Sequence, residues 1–250
     1  MRKFYILFLV ATFLLSCASR EKIVYLQNDS SAGGELNFET YLKPDDILLI
    51  VVLSEDPAVA EPYNLKSLSL QGSSEEASQV SRTQTYLVDR EGYIDFPFVG
   101  KIKLAGLTKE KAVLEIQKAL ENHVKDAIIN LRILNFKVSV LGEVNNPGAF
   151  NISGERITIL EAIGKAGDLT IYGRRDNVLL IREEKGTKKI YRIDLTKLDF
   201  NSPYYYLTQN DVIYVEPNKT KVNSSAIGPN ITVGISALSL IVTIIALATR

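Results

Sequence analysis

Lys137-Val138-Ser139-Val140-Leu141-Gly142-Glu143-Val144-Asn145-Asn146-Pro147-Gly148-Ala149-Phe150-Asn151-Ile152 is the stretch that decides the fold. Val138 and Val140 alternate with polar neighbours at the period of a strand, and Asn145-Asn146-Pro147-Gly148 is a turn cluster that leads into a second short strand. Next, Thr158 and Glu161 stand at the spacing of a capping box, on a short helix that Gly167 closes where a left-handed residue is cheapest. Strands are expected at 177–182, 188–193 and 212–215, with a turn at Lys185-Gly186. A strand pair, one helix and further strands is the order of a compact β-grasp-like module, placed at 136–217.

Upstream, Pro44-Asp45-Asp46 introduces Ile47-Leu48-Leu49-Ile50-Val51-Val52-Leu53, a buried strand after a turn. Segments 84–88 and 93–96 flank Asp89-Arg90-Glu91-Gly92 and predict a hairpin with Gly92 at positive φ. Thr108 caps a helix over 109–121 whose apolar stripe is Ala112, Val113, Ile116, Ala119 and Leu120. Another strand is expected at 128–134, and 67–81, with Gln71-Gly72-Ser73-Ser74-Glu75-Glu76, is expected as a surface loop. These elements form one α+β unit over 38–135. The fold class is therefore α+β, with two modules in tandem.

The ends differ from this body. Met1-Arg2-Lys3, an apolar run from Phe4 to Leu15 and then Ser16-Cys17 have the layout of a lipoprotein signal peptide, 1–16, with Cys17 as the lipidated residue. Residues 17–37, rich in Asn, Ser and Gly, predict a flexible tether, and 218–229 a linker. Segment 230–250 is expected as a C-terminal transmembrane helix. At 100° per residue, Thr232, Ser236, Ser239 and Thr243 fall within about 60° of one another. The hydroxyl stripe therefore lines a pore or helix interface, or bonds back to its own helix.

The chain has 250 residues with 29 basic and 29 acidic side chains, one His, one Cys and no Trp. The balance gives no basic excess and no argument for nucleic acid. A catalytic triad or zinc site would have to rest on His123 alone, just past a helix end, where a solvated histidine is the plainer reading. No phosphate loop, HExxH or EF-hand spacing occurs, so no catalytic residue, metal or cofactor is assigned and the chain is not read as an enzyme.

The two units in this order resemble the outer-membrane polysaccharide export family. The first resembles its polysaccharide export domain in Tyr41-Leu42-Lys43-Pro44-Asp45-Asp46-Ile47-Leu48-Leu49-Ile50, in Val88-Asp89-Arg90-Glu91-Gly92-Tyr93-Ile94-Asp95-Phe96-Pro97-Phe98-Val99-Gly100 and in Gly106-Leu107-Thr108. It departs at Asp45, where Gly is commoner, and at Phe96, where Leu is commoner. The second resembles the SLBB β-grasp domain in 140–148, in Leu160-Glu161-Ala162 with Ala166-Gly167, and in Ile181-Arg182 with Ile193-Asp194-Leu195.

The resemblance implies a ring-shaped homo-oligomer that passes capsular polysaccharide or exopolysaccharide, lipid-anchored in the outer membrane with its body in the periplasm. It also implies an inner-membrane polysaccharide co-polymerase or tyrosine autokinase as partner. Arg174 and Arg175 are candidate contacts for anionic polymer or a neighbouring subunit, as are Tyr204, Tyr205 and Tyr206 for glycan, although packing and loop solvation explain these residues as well. The alternative is a membrane-anchored adaptor lipoprotein that binds glycan or a partner without forming a pore.

Overall fold

A computed structural model describes residues 20–27, 39–64, 66–71, 78–184, 186–226 and 229–248. The expected signal peptide, 1–16, and Cys17 lie outside them. β1 (Ile47–Leu53) is the centre of a three-stranded antiparallel sheet and buries Leu48, Ile50 and Val52 on one face. Asp45, in the turn before it, has φ +68°, which explains why glycine suits this position. After β1 comes α1 (Pro57–Ala60), capped by Asp56, whose carboxylate accepts the Ala58 N–H at 3.0 Å.

Within the segment expected as a loop the structure instead shows two paired antiparallel strands, β2 (Lys66–Gln71) and β3 (Ser78–Thr83), while 72–77 lie outside the described residues. Its polar Ser and Gln content masks the alternation of Leu68 and Leu70 with Ser67 and Ser69. The hairpin expected around Gly92 is also different. The turn forms, with Gly92 at φ +90° and the Asp89 N–H bonded to the Tyr93 carbonyl at 2.8 Å. Its flanks then part: β4 (Thr85–Leu87) pairs with β1, while β5 (Tyr93–Phe96) pairs with β6 (Gly100–Lys103).

Thr108 caps α2 (Lys109–Leu120), which buries Ala112, Ile116 and Leu120 against this sheet. β7 (Ile128–Ile133) completes the sheet on the other side of β1. Asn135 joins the modules: its side chain accepts the Ile47 N–H at 2.9 Å and donates to the Asp45 carbonyl at 2.8 Å. Its own carbonyl accepts from Gln209 at 2.7 Å.

The second module is a five-stranded mixed sheet. β8 (Lys137–Gly142) and β9 (Gly148–Asn151) form the expected strand pair. α3 (Ile159–Lys165) carries the capping box: the Thr158 hydroxyl accepts the Glu161 N–H, and the Glu161 carboxylate accepts the Thr158 N–H. β10 (Gly173–Glu184), longer than the sequence pattern suggests, pairs with β11 (Thr187–Ile193) and with β12 (Val212–Pro217). β12 also runs parallel to β8, and Val138, Val140, Ile159, Leu180 and Ile213 lie in the core beneath α3. The module thus runs as a strand pair, one helix and three further strands.

Three stretches outside the modules depart from simple linkers. Residues 20–27, within the expected tether, dock on the second module: the Leu26 and Gln27 N–H groups donate to the Leu195 and Thr196 carbonyls at 3.1 and 2.7 Å. Within 218–229 the chain forms α4 (Lys219–Ala226), with Asn218 accepting the Lys221 N–H at 3.0 Å. The last element is α5 (Pro229–Ala248). Among the described residues no helix is long and apolar enough to cross a membrane, which corrects the expected transmembrane helix at 230–250. Its apolar run is punctuated by Thr232, Gly234, Ser236, Ser239 and Thr243.

Candidate functional site: the aromatic and ionic face of the second module

The loop 200–211 returns along the second module and carries most of the polar and aromatic side chains concentrated there. Tyr204 packs on Tyr191 of β11, with ring centroids 4.3 Å apart and planes tilted by 30°. Tyr205 meets Phe200 edge-on at 5.4 Å and Tyr206 at 5.1 Å, and the Arg156 guanidinium lies 5.5 Å from the Tyr206 ring centre. All three tyrosines are half-buried. Each presents part of an apolar ring with a polar tip, a surface suited to a partner that is apolar on one face and hydroxylated at its edges. Burial, first, and then Tyr206 raise the Tyr205 hydroxyl pKa above its ordinary value, so that hydroxyl is neutral at physiological pH.

A buried ion pair holds the loop in place. Arg182 on β10 donates from Nε to both Asp211 oxygens at 3.1 Å and from Nη2 to Oδ2 at 2.7 Å. The same guanidinium reaches the Pro203 and Tyr206 carbonyls at 3.3 and 2.8 Å. Asp211 also accepts the Thr208 N–H at 2.7 Å. The two ends of the tyrosine run are thus tied to the sheet through one arginine. Sequence reading missed Arg182, Asp211, Tyr191 and Arg156. The available signal was a lone arginine ending the apolar run Val178-Leu179-Leu180-Ile181, a position that needs a buried partner.

The two candidate arginines have separate fates. Arg174 forms a fork with Asp176, 3.1 Å from Nε to Oδ1 and 3.1 Å from Nη2 to Oδ2, and reaches Glu216 at 3.2 Å. That hydrogen bond holds the Asp176 carboxyl below its usual range. Arg175 is buried, donates to the Thr170 and Gly173 carbonyls at 2.9 and 2.8 Å, and stands over the Tyr25 ring. Both guanidiniums are committed inside the chain.

Of the hydroxyl stripe, Ser239 donates to the Ser236 carbonyl and Thr243 to the Ser239 carbonyl, each at 2.8 Å. These hydroxyls are therefore satisfied on their own helix, as a serine or threonine in an apolar helix can be. The Thr232 side chain lies outside the described set. His123 is exposed and rests 6.1 Å from the Tyr63 ring. Among the described residues, no group of three or more His, Cys, Asp or Glu is placed to hold a metal ion.

In the first module the notable group is Asp46, buried in the turn before β1, with its carboxylate accepting the Lys43 N–H at 2.8 Å. Burial raises its pKa to about 6, against the opposing effect of that hydrogen bond. The folded chain thus holds this proton more tightly than the unfolded chain, whose carboxyl titrates near 3.8. Stability from this group is full below the unfolded value and is lost as pH rises through the folded one. Asp46→Asn, which keeps an acceptor for Lys43, is expected to stabilise the protein at neutral pH by up to about 3 kcal/mol and to leave it unchanged near pH 4. Thermal midpoints of variant and parent across that window check this; a difference independent of pH would contradict it.

A polysaccharide export module followed by a β-grasp module defines the class of protein. The family model described as polysaccharide biosynthesis/export protein matches residues 36–134, and the SLBB domain model matches 136–215. The chain belongs to the outer-membrane polysaccharide export family. It is similar to the EPS I polysaccharide export outer membrane protein EpsA of Ralstonia solanacearum, 33% identical over 132 residues that make up 50% of this chain and 34% of that protein. The EpsA protein of Ralstonia nicotianae is 34% identical over 146 residues, 56% of this chain and 38% of the relative. The chain thus spans little more than a third of the length of these curated relatives.

Proposed function

We propose that this chain is an outer-membrane polysaccharide export protein that assembles with further copies into a ring-shaped conduit. The observation that carries the proposal is the pair of modules in the family's order, together with relatives named as polysaccharide export outer membrane proteins. In this reading Cys17 carries the lipid, the body lies in the periplasm, and polymer arrives from an inner-membrane co-polymerase. Tyr204 and Tyr206 offer half-exposed rings to passing sugar residues, with Arg182 and Asp211 fixing their loop. Transport needs no bond chemistry from the chain.

Assembly separates this reading from an anchored adaptor. Light scattering on the full chain in detergent is expected to give one defined oligomer. A monomer at all concentrations would contradict the conduit and favour the adaptor.

A further inference from the structure

Loop 168–175 gathers segments that the sequence places far apart. From the N-terminal side, the Tyr25 hydroxyl donates to Asp168 Oδ1 at 2.5 Å, and the Arg175 guanidinium stands 5.8 Å from the Tyr25 ring centre. Burial and this hydrogen bond push the Tyr25 hydroxyl well above its usual range, so the contact stays intact at physiological pH. Lys22 is close enough to act on Asp176. From the C-terminal side, the Asn218 N–H donates to the Tyr172 carbonyl at 2.7 Å. Lys221 of α4 lies 5.2 Å from the Tyr172 ring centre and 4.0 Å from Glu143. The segment that follows the N-terminal apolar stretch and the one that leads into α5 are therefore both fastened to one loop.

Around that loop apolar side chains gather at the surface. Ile171 is 60% exposed and Val222 53%, while Tyr172, Ile23, Val24 and Leu26 lie between 37% and 39%. The cations Arg20, Lys22, Lys219 and Lys221 are exposed on the same segments. Of the acids nearby, Asp176 and Glu216 are engaged by Arg174 and Glu143 by Thr170 and Lys221, while Glu21 is exposed between Arg20 and Lys22. In a chain of zero formal net charge, apolar side chains set among lysines and arginines are the chemistry of an interfacial membrane contact.

We propose that this end of the second module, built from loop 168–175, residues 20–27 and α4, is a peripheral membrane-binding surface for anionic phospholipid. The inference rests on the membrane-associated export reading above. It assigns a contact that is independent of any lipid on Cys17: Ile171 and Tyr172 enter the headgroup and upper acyl region while the cations meet lipid phosphates. The module is thereby held against the bilayer, with both terminal segments emerging where they meet it.

Because the chain has no tryptophan, a single introduced indole reports on this surface alone. Full-length Tyr172→Trp and, separately, Ile171→Trp are mixed with phosphatidylglycerol-containing vesicles bearing brominated acyl chains. Leu114→Trp, at a 63% exposed position on α2, serves as the reference. Co-sedimentation in the same samples tests membrane association itself.

The expected result is blue-shifted emission and about twofold or greater quenching at positions 171 and 172, with none at 114. Quenching should weaken when Arg20 and Lys22 are changed to Gln. Vesicle-bound protein with unquenched indoles at both loop positions would overturn the proposal while leaving the export reading standing. An indole already buried without vesicles and unquenched with them would assign the surface to protein contact instead. Failure to co-sediment at all would overturn both.

Discussion

Asp211→Ala is expected to destabilise the second module by about 3–5 kcal/mol, because it leaves the Arg182 guanidinium buried without its counter-ion. The Asp211 side chain is fully buried and that of Arg182 is 10% exposed. The loss of charge pairing is compounded by the loss of the Asp211 acceptor for the Thr208 N–H and hydroxyl, at 2.7 and 3.1 Å. Replacing both partners at once, Arg182→Met with Asp211→Leu, is expected to cost much less, since no uncompensated charge remains. Denaturant midpoints for the two single variants and the double variant measure the coupling. A loss below about 1 kcal/mol in Asp211→Ala would show that water reaches the pair and that it behaves as a surface salt bridge. The functional corollary is that Asp211→Ala, where it still folds, releases the Pro203 and Tyr206 carbonyls held by Arg182 and with them the tyrosine face.

The second large effect belongs to Gly142, where β8 ends beside β12. Its φ is +90°, and a Cβ there would stand 2.1 Å from the Val215 carbonyl oxygen and 3.0 Å from the Val215 carbonyl carbon. The obstruction is backbone of the parallel neighbour strand, so no side-chain rotation relieves it. Gly142→Ala is expected to cost about 1–3 kcal/mol for the left-handed backbone and a similar amount for the forced separation of β8 from β12. Circular dichroism and thermal melting would show it; a melting temperature within a degree or two of the parent would contradict the placement of these strands. Gly164, with nothing within 4 Å of its Cβ position and no positive φ, is the matched control.

What the sequence disclosed follows the range of the interactions involved. The capping box at Thr158 and Glu161, the left-handed turns at Gly92 and Gly167, and β1 with its alternating burial were legible because each depends on residues a few positions apart. The pairing of β4 with β1 rather than β5 was not, since Leu87 chooses its partner Ile47 forty residues away. Residues 20–27 have the composition of a tether, and only Asp168 and Arg175, distant in sequence, turn Tyr25 into an attachment.

α4 carried a readable signal in Asn218 ahead of Lys221, obscured by the poor helix formers Asn223, Ser224 and Ser225. The tyrosine cluster was visible as Tyr204-Tyr205-Tyr206, yet its partners Tyr191 and Arg156 come from separate parts of the chain. Arg174 and Arg175 look alike in sequence. One ends in a carboxylate fork and the other over a tyrosine ring, a difference that only the bulged start of β10 decides.

The central claim is that this chain moves polysaccharide out of the cell envelope, and the most direct measurement is surface polysaccharide in a strain lacking the chain, with and without a complementing copy. The account predicts that the deletion removes polymer from the surface while polymer accumulates inside, and that the complementing copy restores the surface fraction. Undiminished surface polysaccharide in the deletion strain would contradict it.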